Sequence, residues 1–145
     1  MTPFFRHILA TLAYRAAKAL RGAPPEFAEF RADAGSRTPV QIVAHLGDLF
    51  DWSLSIANGS QAWHNSAPLL WDREVARFFA ALAAFDQRVA EGPLQAPMER
   101  LFQGPVADAL THVGQLAMLR RMAGFAVRGE NFYVADIAIG RVGFE

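Results

Sequence analysis

The stretch Thr38-Pro-Val-Gln-Ile-Val-Ala-His45-Leu-Gly-Asp-Leu-Phe50-Asp-Trp-Ser-Leu-Ser-Ile-Ala57-Asn-Gly59 decides the fold class. Its apolar residues recur with helical spacing and predict a helix over 39–57. Thr38 is a capping residue type, Pro39 suits the first helical position, and Asn58-Gly59 supplies the stop. At about 100° per residue, Ile42, Leu49, Trp52 and Ile56 fall on the side of His45. Asp48, Asp51 and Ser55 lie away from it. An imidazole therefore points inward from the apolar face of this helix. Taken alone, it reads most simply as a core histidine bonded to a neighbour, because buried polar groups normally find protein partners.

Three further segments share the helical period. The first spans about 3–20, with Phe4, Phe5, Ile8, Leu9, Leu12, Ala16, Ala19 and Leu20 on one face. Arg6, His7, Tyr14 and Lys18 fall off that face, and Thr2 is its candidate cap. Another spans about 72–89, with a stripe of Val75, Phe78, Leu82, Phe85 and Val89, and ends at Gly92-Pro93. The last spans about 105–127 and is apolar over most of its circumference, which predicts a buried helix. An extra helical turn is expected around Glu26 to Phe30, and the tail from Asn131 to Glu145 reads as a short cap. The expected architecture is all-α: one domain over 1–145, a four-helix bundle with a short C-terminal capping segment.

The composition narrows the function. The chain has 145 residues, 52% of them hydrophobic, with 14 basic and 14 acidic side chains, four histidines and no cysteine. That length can bury about 68–70% of the surface of the unfolded chain, so a core needs no staples. Zero net charge argues against nucleic-acid binding and against attraction to an anionic membrane. The longest apolar run, Phe78 to Phe85, is far short of the roughly 20 residues of a membrane span. Arginine and lysine are threaded through the apolar residues at the N-terminus, unlike a signal peptide. The expected setting is cytoplasmic. Without cysteine there is no disulfide, no thiolate metal ligand and no cysteine nucleophile. No glycine-rich phosphate loop and no G-x-S-x-G elbow occurs.

Asp108 and His112 are the second chemical feature. Four residues apart on one helix, they share a face that Gln115 and Leu119 continue. On these residues alone, Asp108 is equally a partner for the helix dipole or for the imidazole. With His45 added, two nitrogens and one oxygen project inward from two helices, the way metal sites in bundles are built. Three protein ligands leave a position open for water or substrate. The set suits zinc, iron(II) or nickel(II). Gln115, Trp52 and Leu49 are the expected pocket or supporting residues. His7 reads as solvated and loop His64 as surface. Arg120-Arg121 reads as a solvated corner, with an anion contact as the alternative.

At this point the motifs resemble a family. Arg37-Thr-Pro-Val-Gln-Ile-Val-Ala-His45-Leu-Gly-Asp-Leu49 resembles the second-helix motif of the DinB-like (DinB/YfiT) superfamily. Asp108-Ala-Leu-Thr-His112-Val-Gly-Gln115 resembles that family's H-x-x-x-H-x-G-Q helix, and Asn131 to Gly143 is similar to its C-termini. The resemblance spans about 3–143. It implies a four-helix bundle, often dimeric, with a divalent metal, nickel or zinc, on three histidines. It further implies a small-molecule substrate, with thiol-dependent S-transferases and maleylpyruvate isomerases among the relatives. His45 and His112 match two of the family histidines, and Asp108 stands where the third would be. Either the site persists as His/His/Asp, or metal is lost and Asp108 pairs with histidine. If thiol chemistry operates, the thiol must come from a low-molecular-weight cosubstrate. The expected assembly is a homodimer. The competing reading is a non-enzymatic dimeric bundle with a degenerate site.

Overall fold

The computed structural model describes residues 1–144, and all regular structure among them is helical. The long helices are α1 (Thr2–Leu20), α2 (Pro39–Ala57), α3 (Trp71–Ala90) and α5 (Ala107–Met122). A short α4 (Met98–Leu101) and a π turn (Phe102–Val106) lead into α5, and 3-10 turns occupy Pro25–Glu29 and Phe132–Val134. Helix α1 packs on α3 and α5, and α2 packs on the same two, most extensively on α3. The four long helices thus enclose a single core. Among the described residues no helix is long and apolar enough to cross a membrane.

Helix α2 starts and stops where its residues direct. The Thr38 side chain accepts from the Gln41 N–H, and the Gln41 side chain returns a bond to the Thr38 N–H. This reciprocal box satisfies two N–H donors that a helix start leaves without partners. The C-terminal end turns out at Gly59, whose φ of +88° is open to glycine without a Cβ penalty. The α3 stripe is buried at all five positions, and Phe5, Leu9, Leu12, Ala16, Ala19 and Leu20 of α1 are buried in the same core. The rings of Phe5, Phe50, Phe78 and Phe85 meet at centroid distances of 5.9–6.1 Å. The turn expected near Phe30 is present as the Pro25–Glu29 turn, which buries Phe27.

The ends of the chain differ from expectation. Thr2 lies inside α1 rather than capping it, and Phe4 is 67% exposed. Periodicity assigns a face but not its edges, and Phe4 lies beyond the edge of what α3 and α5 cover. The last helix differs most. Pro105 lies inside the chain's only π turn among the described residues, and α5 stops at Met122, short of 127. Gly124 takes φ +89°, and the Phe125 N–H bonds back to the Arg120 carbonyl, closing the helix. Nor is α5 buried all round: only Ala109, Val113, Leu116, Leu119 and Arg120 are. Alanine, glycine and methionine made it look apolar, yet Gly114, Met118 and Met122 face outward. The tail after the last 3-10 turn runs without regular structure. Val142 is buried there, and the Phe144 ring lies 5.2 Å from that of Phe79.

Arg120 is not a solvated corner. It is buried, and its guanidinium donates to the carbonyls of Ala19, Arg21 and Phe125. These carbonyls lie at or just beyond the ends of α1 and α5, where helices leave acceptors unpaired. Burial lowers the pKa of this guanidinium. Arginine keeps its proton regardless. Arg121 beside it is exposed.

Candidate metal centre

The side chains of His45, Asp108 and His112 converge between α2 and the first turns of α5. Asp108 Oδ2 lies 3.4 Å from His45 Nε2 and 3.4 Å from His112 Nε2. The two imidazoles stand nearly perpendicular, 4.8 Å between centroids. One donor atom from each residue lies within 4.8 Å of the others. Ligands about 2.0–2.1 Å from a tetrahedral zinc stand roughly 3.3–3.4 Å from each other. The two distances measured from Asp108 fit that spacing.

Each ligand has a physical reason for its state. The His112 Nδ1–H donates to Gln115 Oε1 at 2.8 Å, one turn along the same helix. That bond leaves the Nε2 lone pair facing Asp108, a second-neighbour contact that fixes the tautomer of a metal-binding histidine. Burial lowers the His45 pKa, and the positive charge of Arg37 lowers it further, against a partial counter-effect from Asp108. A neutral imidazole is the form that binds metal. Asp108 is 47% exposed, so the centre sits at the rim of the core rather than inside it. The expectation of inward projection is corrected for Asp108 alone, which lies on the half-open face of α5, whereas the His45 and His112 side chains are mostly buried.

Two clefts flank the centre. One, of 360 Å³, is lined by Ile42, His112, Gln115, Met118, Leu119 and the Ser36-Arg37 pair. The other, of 240 Å³, includes His45, Gln41 and Ser66. Arg37 lines both. Trp52 reaches the site through Trp63, whose ring lies 5.6 Å from Trp52 and 5.6 Å from His45. Leu49 is buried in the core below. His7 is exposed on α1.

A second polar cluster lies one turn along α2. Asp48, placed away from the apolar face by the helical period, is 2% exposed. Its carboxylate accepts from the Ser66 N–H at 2.8 Å and the Ser66 hydroxyl at 2.7 Å. The Arg77 guanidinium lies 3.2 Å from it. His64 approaches Asp48 at 3.2 Å through Nδ1 and Asp51 at 3.3 Å through Nε2. Arg77 also pairs with Glu74, which is fully buried, and donates to the Ala44 carbonyl. Burial lowers the Arg77 pKa, but hydrogen bonding and charge from Glu74 and Asp48 outweigh it and raise the pKa overall. The cluster pins the 58–70 loop onto α2 and so holds Trp63 over His45.

Reasoning from the sequence missed this cluster, although it left one signal. Gly47 sits in mid-helix, where glycine costs roughly 0.5–1 kcal/mol relative to alanine. A Cβ there would lie 2.8–3.0 Å from the Arg77 guanidinium. The glycine makes room for Arg77 to cross α2.

Comparison of the chain with protein-family models, with curated proteins and with solved structures finds no match in any of the three.

Proposed function

We propose that this chain is a metal-dependent enzyme of the DinB-like kind, a four-helix bundle in which His45, Asp108 and His112 hold one divalent ion. The observation that carries the reading is the convergence of these three side chains, with His112 Nε2 left free by Gln115. Two neutral imidazoles and a carboxylate suit zinc, nickel(II) or iron(II). When bound, such an ion supplies Lewis acidity and lowers the pKa of a water or thiol on its open position. The chain's own residues do the rest. Gln115 orients His112, Trp63 and Trp52 limit water on one side, and the Arg37 cleft admits a small molecule. With no cysteine in the chain, a thiol cosubstrate would be a separate low-molecular-weight compound. A homodimer, from the resemblance, and a cytoplasmic setting, from an N-terminus that does not read as a signal peptide, belong to the same proposal.

Elemental analysis of untagged protein, supplemented with zinc, nickel or iron(II), tests the reading. The expected result is one ion per chain in the wild type and none in His112→Ala, with the helical signal kept. Wild-type protein that takes up no divalent ion overturns it.

A second reading has its own observation. Asp108 stands 3.4 Å from both imidazoles and can accept from His45 Nε2–H, and from His112 when that ring carries a proton on Nε2 as well as on Nδ1. The chain would then be a non-enzymatic bundle whose site is a polar cluster. A double-mutant cycle of Asp108 with each histidine in metal-free protein tests this, and absence of coupling there overturns the second reading.

A further inference from the structure

A groove of 510 Å³ runs between α1 and α5 on the face of α5 opposite His112. Val113, Leu110 and Ala117 form an apolar floor with Gly114 among them. Arg15, Arg121 and Arg128 line the same groove. Among the described residues none of these arginines has a carboxylate partner or a hydrogen-bond acceptor. Lys18 is different: it pairs with Glu130, which also accepts from the Tyr14 hydroxyl. Glu130 feels Arg15 as well, but Lys18 and Tyr14 dominate its lowered pKa. The Arg15 guanidinium lies 3.9 Å over the Phe132 ring. Stacking uses the guanidinium face and leaves its N–H edge free to bind an anion.

We propose that this groove binds a small phosphorylated molecule carrying an apolar group. The arginines receive the phosphate, and the floor beside Gly114 receives the apolar part. Three arguments converge. Arginine matches phosphate oxygens with paired, charge-assisted hydrogen bonds. A concave apolar site with a few convergent polar groups, in the range of about 300–1,000 Å³, is the usual form of a small-molecule pocket. The clustering is local, because the chain as a whole has no net charge. A duplex or a membrane surface would call for a broad basic face, whereas a compact phosphate ester needs only this groove. Arg121 lies in the last turn of α5, where a cation also offsets the helix dipole. Arg15 and Arg128 are not in a last turn and have no such explanation.

The test is calorimetric titration of chelator-treated full-length protein with phenyl phosphate at constant ionic strength. One saturable site per chain is expected, roughly tenfold tighter than for inorganic phosphate, which lacks the ring. Arg121→Gln and Arg128→Gln should each weaken phenyl phosphate roughly tenfold, the worth of one charge-assisted bond. A Cβ at Gly114 meets nothing within 4 Å, so the position has room for a side chain to begin, and Gly114→Leu places one over the floor. That variant should bind phenyl phosphate no better than inorganic phosphate. Circular dichroism checks that each variant keeps its helices, and Gly114→Ala serves if the leucine variant does not. Wild-type protein that fails to saturate at millimolar phenyl phosphate overturns the proposal. So does an Arg121→Gln/Arg128→Gln double variant that binds like wild type. Binding that disappears with His112→Ala would put the ligand at the candidate metal centre and overturn it too, without touching the metal reading.

Discussion

Helix α2 carries two histidine–aspartate clusters within one turn of each other, and they differ in what completes them. At Asp48, Asp51 and His64, Arg77 supplies the cation, and Ser66 adds an N–H and a hydroxyl. That one guanidinium faces Asp48, Asp51 and Glu74, so it offsets their negative charge in part. At His45, Asp108 and His112, no lysine or arginine pairs with the carboxylate among the described residues. The same residue types therefore build a latch around a guanidinium in one place and a set without one in the other, although the ligand atoms of both sets lie within 4.8 Å of one another. A potential site is distinguished less by its ligands than by whether the fold has already supplied a cation. The latch also serves the other set, since it anchors the loop that brings Trp63 against His45.

Substitutions can break this contrast. The largest expected effect is at His112: replacing it with alanine abolishes metal uptake, whereas His64→Ala leaves one ion per chain, both read by elemental analysis. Equal loss in the two variants would erase the distinction. Next in size is Arg77→Met, which leaves the buried Asp48 and Glu74 carboxylates without their cation. Stripping one partner from a buried pair costs about 3–5 kcal/mol, and chemical denaturation should show a loss near the lower figure because Arg77 is partly exposed. Wild-type stability in that variant would mean that Arg77 does not hold the latch together. Gln115→Leu should weaken zinc binding roughly 10–100-fold with little change in melting temperature, as the imidazole loses its orienting partner.

Acidification sharpens the comparison further. The His45 pKa is lowered from its ordinary 6.5 by burial and by Arg37. Below about pH 6.5 the unfolded chain takes up a proton on this imidazole that the folded chain still refuses. Stability present above that pH is therefore lost as pH falls toward the folded-state pKa. Melting temperatures of metal-free protein should drop across this window, and His45→Asn should flatten the drop. A wild type and variant with parallel profiles would remove His45 as the cause. The smallest effect is expected for His64→Ala on stability, within about 1 kcal/mol, because the His64 side chain is half exposed.

Legibility followed the length over which a signal is averaged. Helix α2 and the α3 stripe were readable because many apolar positions and a capping sequence agree. Helix α5 was misjudged as buried, because its apolar character comes from small residues and methionines that the fold leaves outside. Gly124 alone ends it. The three candidate ligands were readable from types and spacing on two helices. Asp48 was not, since its partners Ser66 and Arg77 come from other parts of the chain. Arg120 was not either: capping the carbonyl ends of two separate helices is invisible along one of them.

By itself the sequence determined the all-helical class, the ends of α2 and the apolar stripe of α3. It also ruled out any cysteine-based site. These depend on short-range backbone chemistry and on composition, which need no knowledge of neighbours. Tertiary structure alone decided that His45 meets Asp108 and His112, that Arg77 neutralises Asp48, and that three arginines share a groove with an apolar floor. Those outcomes depend on which helices lie side by side. Electrostatic balance falls off over a few ångströms in space, whatever the separation along the chain.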